Sequence, residues 1–256
     1  MTSRLDAYLV ANARYHDTDF ARLELLKLLA EDDNVRVRVA ESFSDIAAIG
    51  AADFLITYTC DVRPAPAEEE ALRSFVERGG RWVALHATNA LLDFSPAGIL
   101  CPRICDTFMA TLGSRFISHP PIQPYQVTVS NPAHPLVAGI EPFEASDELY
   151  LCEYSPGVVP LLETRFVGSF EAGYIEHDFP IDEPRLVAYT HPVGLGEVLY
   201  LTLGHSCGKY DMQPLREETA VVRGSWDLPV FYELLRRAIA WAKESGPAAS
   251  RPAGRA

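Results

Sequence analysis

The chain has 256 residues, 48% of them hydrophobic and 22% charged, with a formal net charge of -13. That length supports one substantial core, and the acidic balance excludes the basic face that nucleic-acid binding needs. No apolar stretch approaches a membrane span and no signal-peptide apolar region follows Met1-Thr2-Ser3-Arg4, so a cytoplasmic protein with no membrane partner is expected.

The five cysteines are scattered and odd in number, which fits reduced thiols. Cys101 and Cys105 share a helical spacing, but no second pair completes a zinc site. The expected organisation is one α/β domain over residues 1–244, with a Pro-, Ala- and Gly-rich disordered tail over 245–256.

Leu5 to Val10 reads as a first strand, ending in Tyr15-His16-Asp17, and Thr18 or Asp19 can cap the helix that follows. Val35, Val37 and Val39 alternate with arginines, the pattern of a half-exposed strand near an edge. Ala52 to Tyr58 reads as a buried strand. Glu68-Glu69-Glu70 then opens a helix, where carboxylates suit the helix dipole, and Gly79-Gly80 closes it. Arg81 to Leu85 is a short apolar run without alternation, as in a strand buried on both faces of a parallel sheet, and it stops at His86.

Pro102 to Leu112 reads as a helix closed by Gly113, and Tyr125 to Ser130 as an antiparallel strand. Phe143 to Cys152, Val158 to Arg165, Val167 to Ile175 and Arg185 to His191 read as further strands extending the sheet. Glu197 to Leu203 is a last buried strand that ends in Gly204-His205, and Leu228 to Ala242 an amphipathic helix. Alternating strands and helices followed by antiparallel members predict a mainly parallel, doubly wound α/β sheet.

Ligands of such sheets sit outside the carboxyl ends of the strands, which is where His16, His86 and His205 fall. With Asp17, Thr88, Asn89 and the Asp147-Glu148 pair they form a candidate cluster of acid–base groups. Neighbours on a regular strand point to opposite faces, so only one of Asp147 and Glu148 is expected to enter the pocket unless a bulge intervenes. The remaining histidines are read as structural. His119, His134 and His191 each precede a proline and shape turns, and His177 lies in an irregular charged stretch.

The chain holds no phosphate loop, no nucleophile elbow and no His-Glu-x-x-His helix. Composition allows a three-histidine metal site, but no local spacing specifies one. No residue is therefore assigned as a metal ligand; no cofactor is firmly implied, and a divalent metal stays open.

From Leu5 to Ala242 the chain resembles the ThuA-like family of trehalose-utilisation type. The resemblance rests on Tyr15-His16-Asp17, Leu85-His86-Ala87-Thr88, Phe116-x-x-His119-Pro120, His134-Pro135, Asp147-Glu148-Leu149-Tyr150, Thr190-His191-Pro192-x-Gly194-x-Gly196 and Leu203-Gly204-His205. It implies a flavodoxin-like three-layer fold similar to class I glutamine amidotransferases, and a link to disaccharide or oxidised-sugar metabolism. In those amidotransferases the corresponding strand leads into a nucleophilic cysteine. Here His86 stands in that place, so cysteine-based glutamine hydrolysis is not expected. The resemblance also implies an acidic residue after the last Gly-His, where this chain has Ser206; Asp211 or Asp227 would have to supply that charge.

The leading expectation is an enzyme acting on a small carbohydrate or its keto derivative. His86 would be the acid or base, His205 and one of Asp147 or Glu148 its partners, and His16, Asp17, Thr88, Asn89 and Tyr150 the substrate-binding groups. The alternatives are a non-catalytic sugar-binding or assembly module, with Tyr15, Tyr150, Tyr210 and Trp226 exposed to stack on a sugar, and a metal-dependent hydrolase. The exposed edge strand makes a homodimer an expected arrangement.

Overall fold

The computed structural model describes residues 4–215 and 217–244. The expected tail, 245–256, lies outside the described residues. Strands β1 (Leu5–Ala13), β2 (Val35–Ala40), β3 (Phe54–Cys60) and β4 (Arg81–Leu85) alternate with helices α1 (Thr18–Leu29), α2 (Ile46–Ala51) and α3 (Pro66–Glu77). A small hairpin of β5 (Asp93–Ser95) and β6 (Gly98–Leu100) precedes α4 (Asp106–Leu112). Then come β7 (Ser114–Ser118), β8 (Gln123–Val129), β9 (Phe143–Asp147), β10 (Leu151–Tyr154), β11 (Val159–Ser169), β12 (Asp178–Val193), β13 (Gly196–Leu201) and α5 (Pro229–Lys243). No helix among the described residues is long and apolar enough to cross a membrane.

Nine strands form one sheet in the order β2-β1-β3-β4-β13-β12-β11-β8-β9. The half from β2 to β13 is parallel, and β12, β11, β8 and β9 extend it antiparallel. The two faces of this sheet are covered separately. On β4, Val83 and Leu85 join the apolar cluster that includes Leu25 of α1 and Phe231 of α5. Trp82 and Ala84 face the other way, to Leu72 of α3 and Phe108 of α4. A strand whose successive side chains both meet a helical layer must be apolar throughout, as this one is. This is the three-layer α/β arrangement expected from the sequence.

Several boundaries differ from those expected, each for a local reason. The cap of α1 is Asp17, whose carboxylate accepts the Phe20 N–H, rather than Thr18 or Asp19. The helix after Pro102 starts only at Asp106. The stretch Phe143 to Cys152 is two strands, β9 and β10, with a break at residues 148–150 that changes its partner from β8 to β7. Residues 114–118 form β7, and β11 ends at Ser169, so Val167 to Ile175 is not one strand. The edge position of β2 matches its valine–arginine alternation.

Burial pushes the thiols of Cys101 and Cys152 up to about 12. Both are therefore expected to resist alkylation in the native protein at pH 8 and to react once it is unfolded. Mass-spectrometric mapping of iodoacetamide adducts checks this, and rapid native labelling of either would contradict the packing around them.

Candidate active site

The parallel strands end on one edge, and three histidines follow three of those ends. His16 comes just after β1, His86 directly after β4 and His205 four residues after β13. Two of these turns use left-handed backbone at residues other than glycine: Tyr15 has φ 69° and His86 φ 49°. Such conformations cost on the order of 1–3 kcal/mol and persist where surrounding contacts over-determine them. His86 is held in this way. Its carbonyl accepts the Tyr200 hydroxyl at 2.6 Å, and its ring Nδ1 lies 2.8 Å from the Thr202 carbonyl. Gly204 allows the close approach of the neighbouring loop; its φ is +123°, and a Cβ there would sit 3.3 Å from Phe231 and 3.6 Å from the His86 Cβ.

Asp147 ends β9 and Glu148 begins the break after it, and the two side chains go to different partners. The Asp147 carboxylate is buried and accepts four backbone N–H groups, from Gly204 at 2.9 Å, His205 at 3.1 Å, Ser225 at 2.9 Å and Glu148 at 2.8 Å. It is an anchor for the loop that carries His205 and does not face the histidines. Glu148 does. Its Oε2 lies 3.3 Å from His86 Nε2 and 4.0 Å from His16 Nε2, and its Oε1 3.1 Å from His205 Nδ1 and 3.4 Å from His119 Nε2. The His16 and His86 Nε2 atoms are 2.9 Å apart, and the Tyr150 hydroxyl is 3.3 Å from His86 Nε2.

Burial raises the cost of ionising Glu148, but the charges of His119 and His205 outweigh it and hold the carboxyl well below its ordinary value. For His205 burial works against protonation, and the Glu148 charge overcomes it, raising the imidazole's pKa. His16 goes the other way: burial, then the neighbouring His86 and His205, push it well below its ordinary value. The carboxylate partner of His205 is thus Glu148, and neither Asp211 nor Asp227 is needed. Asp211 instead accepts the Gly208 N–H at 2.6 Å.

The other candidates are not brought into this cluster. Asp17 caps α1 and pairs with Arg223 at 2.9 Å. Thr88 is held by the Thr57 hydroxyl and the Leu85 carbonyl, and Asn89 turns into the core toward Ser114. Tyr15, Tyr150 and Trp226 are buried, at 8%, 3% and 3% exposure, so only Tyr210, at 66%, is the exposed aromatic expected. His119 follows the end of β7 with its Nδ1 on the Pro120 carbonyl, and its Nε2 also reaches Glu148, a contact not expected from the sequence. The motif Phe116-x-x-His119-Pro120 held the signal, but the proline beside it pointed to a turn.

Of this cluster His16, His119, Glu148 and Tyr150 line a narrow cleft of about 80 Å³, with Tyr15, Phe94, Phe116, Tyr174, Met212 and Leu215 around it. A larger groove of about 400 Å³ lies among α3, α4 and β12, beside His191, but no comparable set of acid–base groups converges there. Four ligand atoms, one each from His16, His86, His205 and Glu148, lie within 4.8 Å of one another and are the group in the described residues able to hold a metal ion.

With that geometry in view, the match of residues 8–242 to the ThuA family (trehalose utilisation) is decisive. The chain belongs to the ThuA family. No curated protein matches it. Among solved structures it is similar to a ThuA-like protein from Bacteroides uniformis, with 20% identity, TM-score 0.66, and 94% of this chain and 92% of that one covered. It is also similar to a ThuA-like protein from Parabacteroides merdae, with 15% identity, TM-score 0.60 and coverages of 98% and 94%. A GMP synthase component from Thermoplasma acidophilum shares 6% identity at TM-score 0.51, covering 94% of this chain and 97% of that one, a likeness of fold alone.

The two adjacent carboxylates are expected to fail differently. Asp147→Ala leaves four backbone donors short of an acceptor and should lower unfolding free energy by about 3 kcal/mol or more, whereas Glu148→Gln should leave a folded protein. Paired denaturation curves check the contrast, and equal losses would contradict it.

Proposed function

We propose that this ThuA-family protein is an enzyme of carbohydrate metabolism acting on a small sugar, or its keto derivative, at the strand-end cleft. One observation carries the reading: four histidines converge on a single buried carboxylate, Glu148, at the floor of an aromatic-walled cleft. Aromatic walls suit the C–H faces of a pyranose, and a few polar groups at the floor orient its hydroxyls.

In this reading the polar groups divide by depth. His16, His86 and His205 are buried and hold Glu148 in place. His119 is the most open of the four histidines, with 17% of its side chain exposed, and its Nδ1 donates to the Pro120 carbonyl. That leaves His119 Nε2 beside Glu148 as the group placed to carry a proton between cleft and substrate. A carbonyl on the sugar acidifies the neighbouring C–H, so isomerisation, epimerisation or elimination fits these groups. The cleft is small beside the roughly 300–1,000 Å³ of ordinary ligand pockets. Entry of a sugar therefore calls for the cleft to widen, and Met212 and Leu215 are among the side chains lining it.

A thermal-shift screen of disaccharides and 3-keto sugars should find a stabilising ligand, and proton NMR of the mixture should then follow its conversion. Replacing His119 by Ala is expected to lower kcat by about 100-fold or more with little change in KM, and Glu148→Gln to do at least as much. Turnover unchanged in both variants would sink the assignment.

A further inference from the structure

We infer that the cluster is a divalent transition-metal site of the zinc class, with His16 Nε2, His86 Nε2, His205 Nδ1 and one oxygen of Glu148 as ligands. A carbonyl oxygen only accepts, so His86 Nδ1, 2.8 Å from the Thr202 carbonyl, carries a proton, which leaves Nε2 as the ring's free coordinating atom. The same holds for His16 Nδ1, 2.8 Å from the Arg14 carbonyl. Both rings turn Nε2 inward, and those two atoms stand 2.9 Å apart. Two lone pairs at that distance repel unless something positive lies against them. The Tyr150 hydroxyl can donate to His86 Nε2, at 3.3 Å, but this leaves His16 without a donor.

A single proton shared between the two rings would relieve that pair alone. It would leave His205 Nδ1, 3.1 Å from Glu148 Oε1, outside that shared proton. One divalent cation answers all four atoms together. Its bonds to nitrogen are about 2.0–2.1 Å, which in a tetrahedron puts ligand atoms about 3.3–3.4 Å apart. The His16–His86 separation of 2.9 Å and the 3.3 Å from His86 to Glu148 Oε2 are near that spacing; His16 lies 4.0 Å from Oε2 and His205 Nδ1 is 3.1 Å from the other oxygen, Oε1, so a set within 4.8 Å overall has to draw together around the ion. Histidines whose second ring nitrogen is fixed by a backbone carbonyl are also the usual arrangement around such ions. Imidazole with carboxylate favours zinc, iron, nickel or copper over magnesium or calcium. His119 and Tyr150 are not ligands in this assignment and stay available for proton transfer. With four protein ligands the ion would serve as a Lewis acid only by expanding to five-coordinate to take up a substrate oxygen. That consequence rests on the proposed function, whereas the binding itself does not.

The test uses the full chain without a histidine tag, stripped by chelator and titrated with Zn²⁺ and, separately, Co²⁺. One ion per chain should remain after gel filtration, and His16→Ala and Glu148→Gln should retain far less, with wild-type circular dichroism confirming their fold. His119→Ala should retain the ion. Should the ligand variants fail to fold, proton NMR of the Co²⁺ wild type decides. Three shifted, solvent-exchangeable ring N–H signals are expected, from Nδ1 of His16 and His86 and Nε2 of His205. No retained ion, binding undiminished in the folded ligand variants, or Co²⁺ protein without those signals would overturn the site. Full sugar turnover by chelated, ion-free protein would leave the proposed function standing while removing the metal from it. One bound ion with no response to any sugar would do the reverse.

Discussion

The architecture of the cleft depends on the Asp147 carboxylate. Its two oxygens hold backbone N–H groups from Gly204, His205 and Ser225, which are far along the chain, as well as from its own neighbour. A buried anion is tolerable only when its lone pairs are filled, and here the loop following β13 fills them. The anchoring has a direct result. β9 stands at the far edge of the sheet, yet Asp147 touches the residues just after β13, so the antiparallel extension is brought back over the parallel strands' carboxyl ends. With Asp147 fixed on the loop, Glu148 is turned to the opposite side, into the histidines. One carboxylate is held by backbone amides; the next is surrounded by imidazoles.

Much of this was legible in the sequence. The apolar run Arg81 to Leu85 announced a doubly covered strand, the valine–arginine alternation of residues 35–39 announced an edge, and three histidines at strand ends announced where to look. The parallel topology then brought His16, His86 and His205 together, as strand-end geometry requires. The Asp147-Glu148 ambiguity was also framed by alternation, although not which of the two faces the pocket.

What the sequence withheld depends on tertiary packing. Asp17 has the same residue type and a similar position to a binding carboxylate, but an N-cap and Arg223 claim it. Thr88 and Asn89 follow a reactive-looking histidine, yet the 3-10 turn over His86–Asn89 rotates them into the core. His119 looked like a turn residue because proline follows it, and only the pairing of β7 with β10 shows it reaching Glu148. Tyr15, Tyr150 and Trp226 were read as exposed. In space Tyr15 and Tyr150 line the cleft, and Trp226 packs in the core against Phe20, Tyr58 and Phe231.

The sequence separation of these contacts has a kinetic meaning. His16 meets His86 across 70 residues, and Ser206 reaches back to Asp17 across 189. Contacts of that span close late, after the strands between them have found their neighbours. The histidine cluster should therefore mature last as the chain folds. A partly folded molecule carries every residue of the site and none of its convergence, so competence at the cleft doubles as a report that the whole sheet has closed.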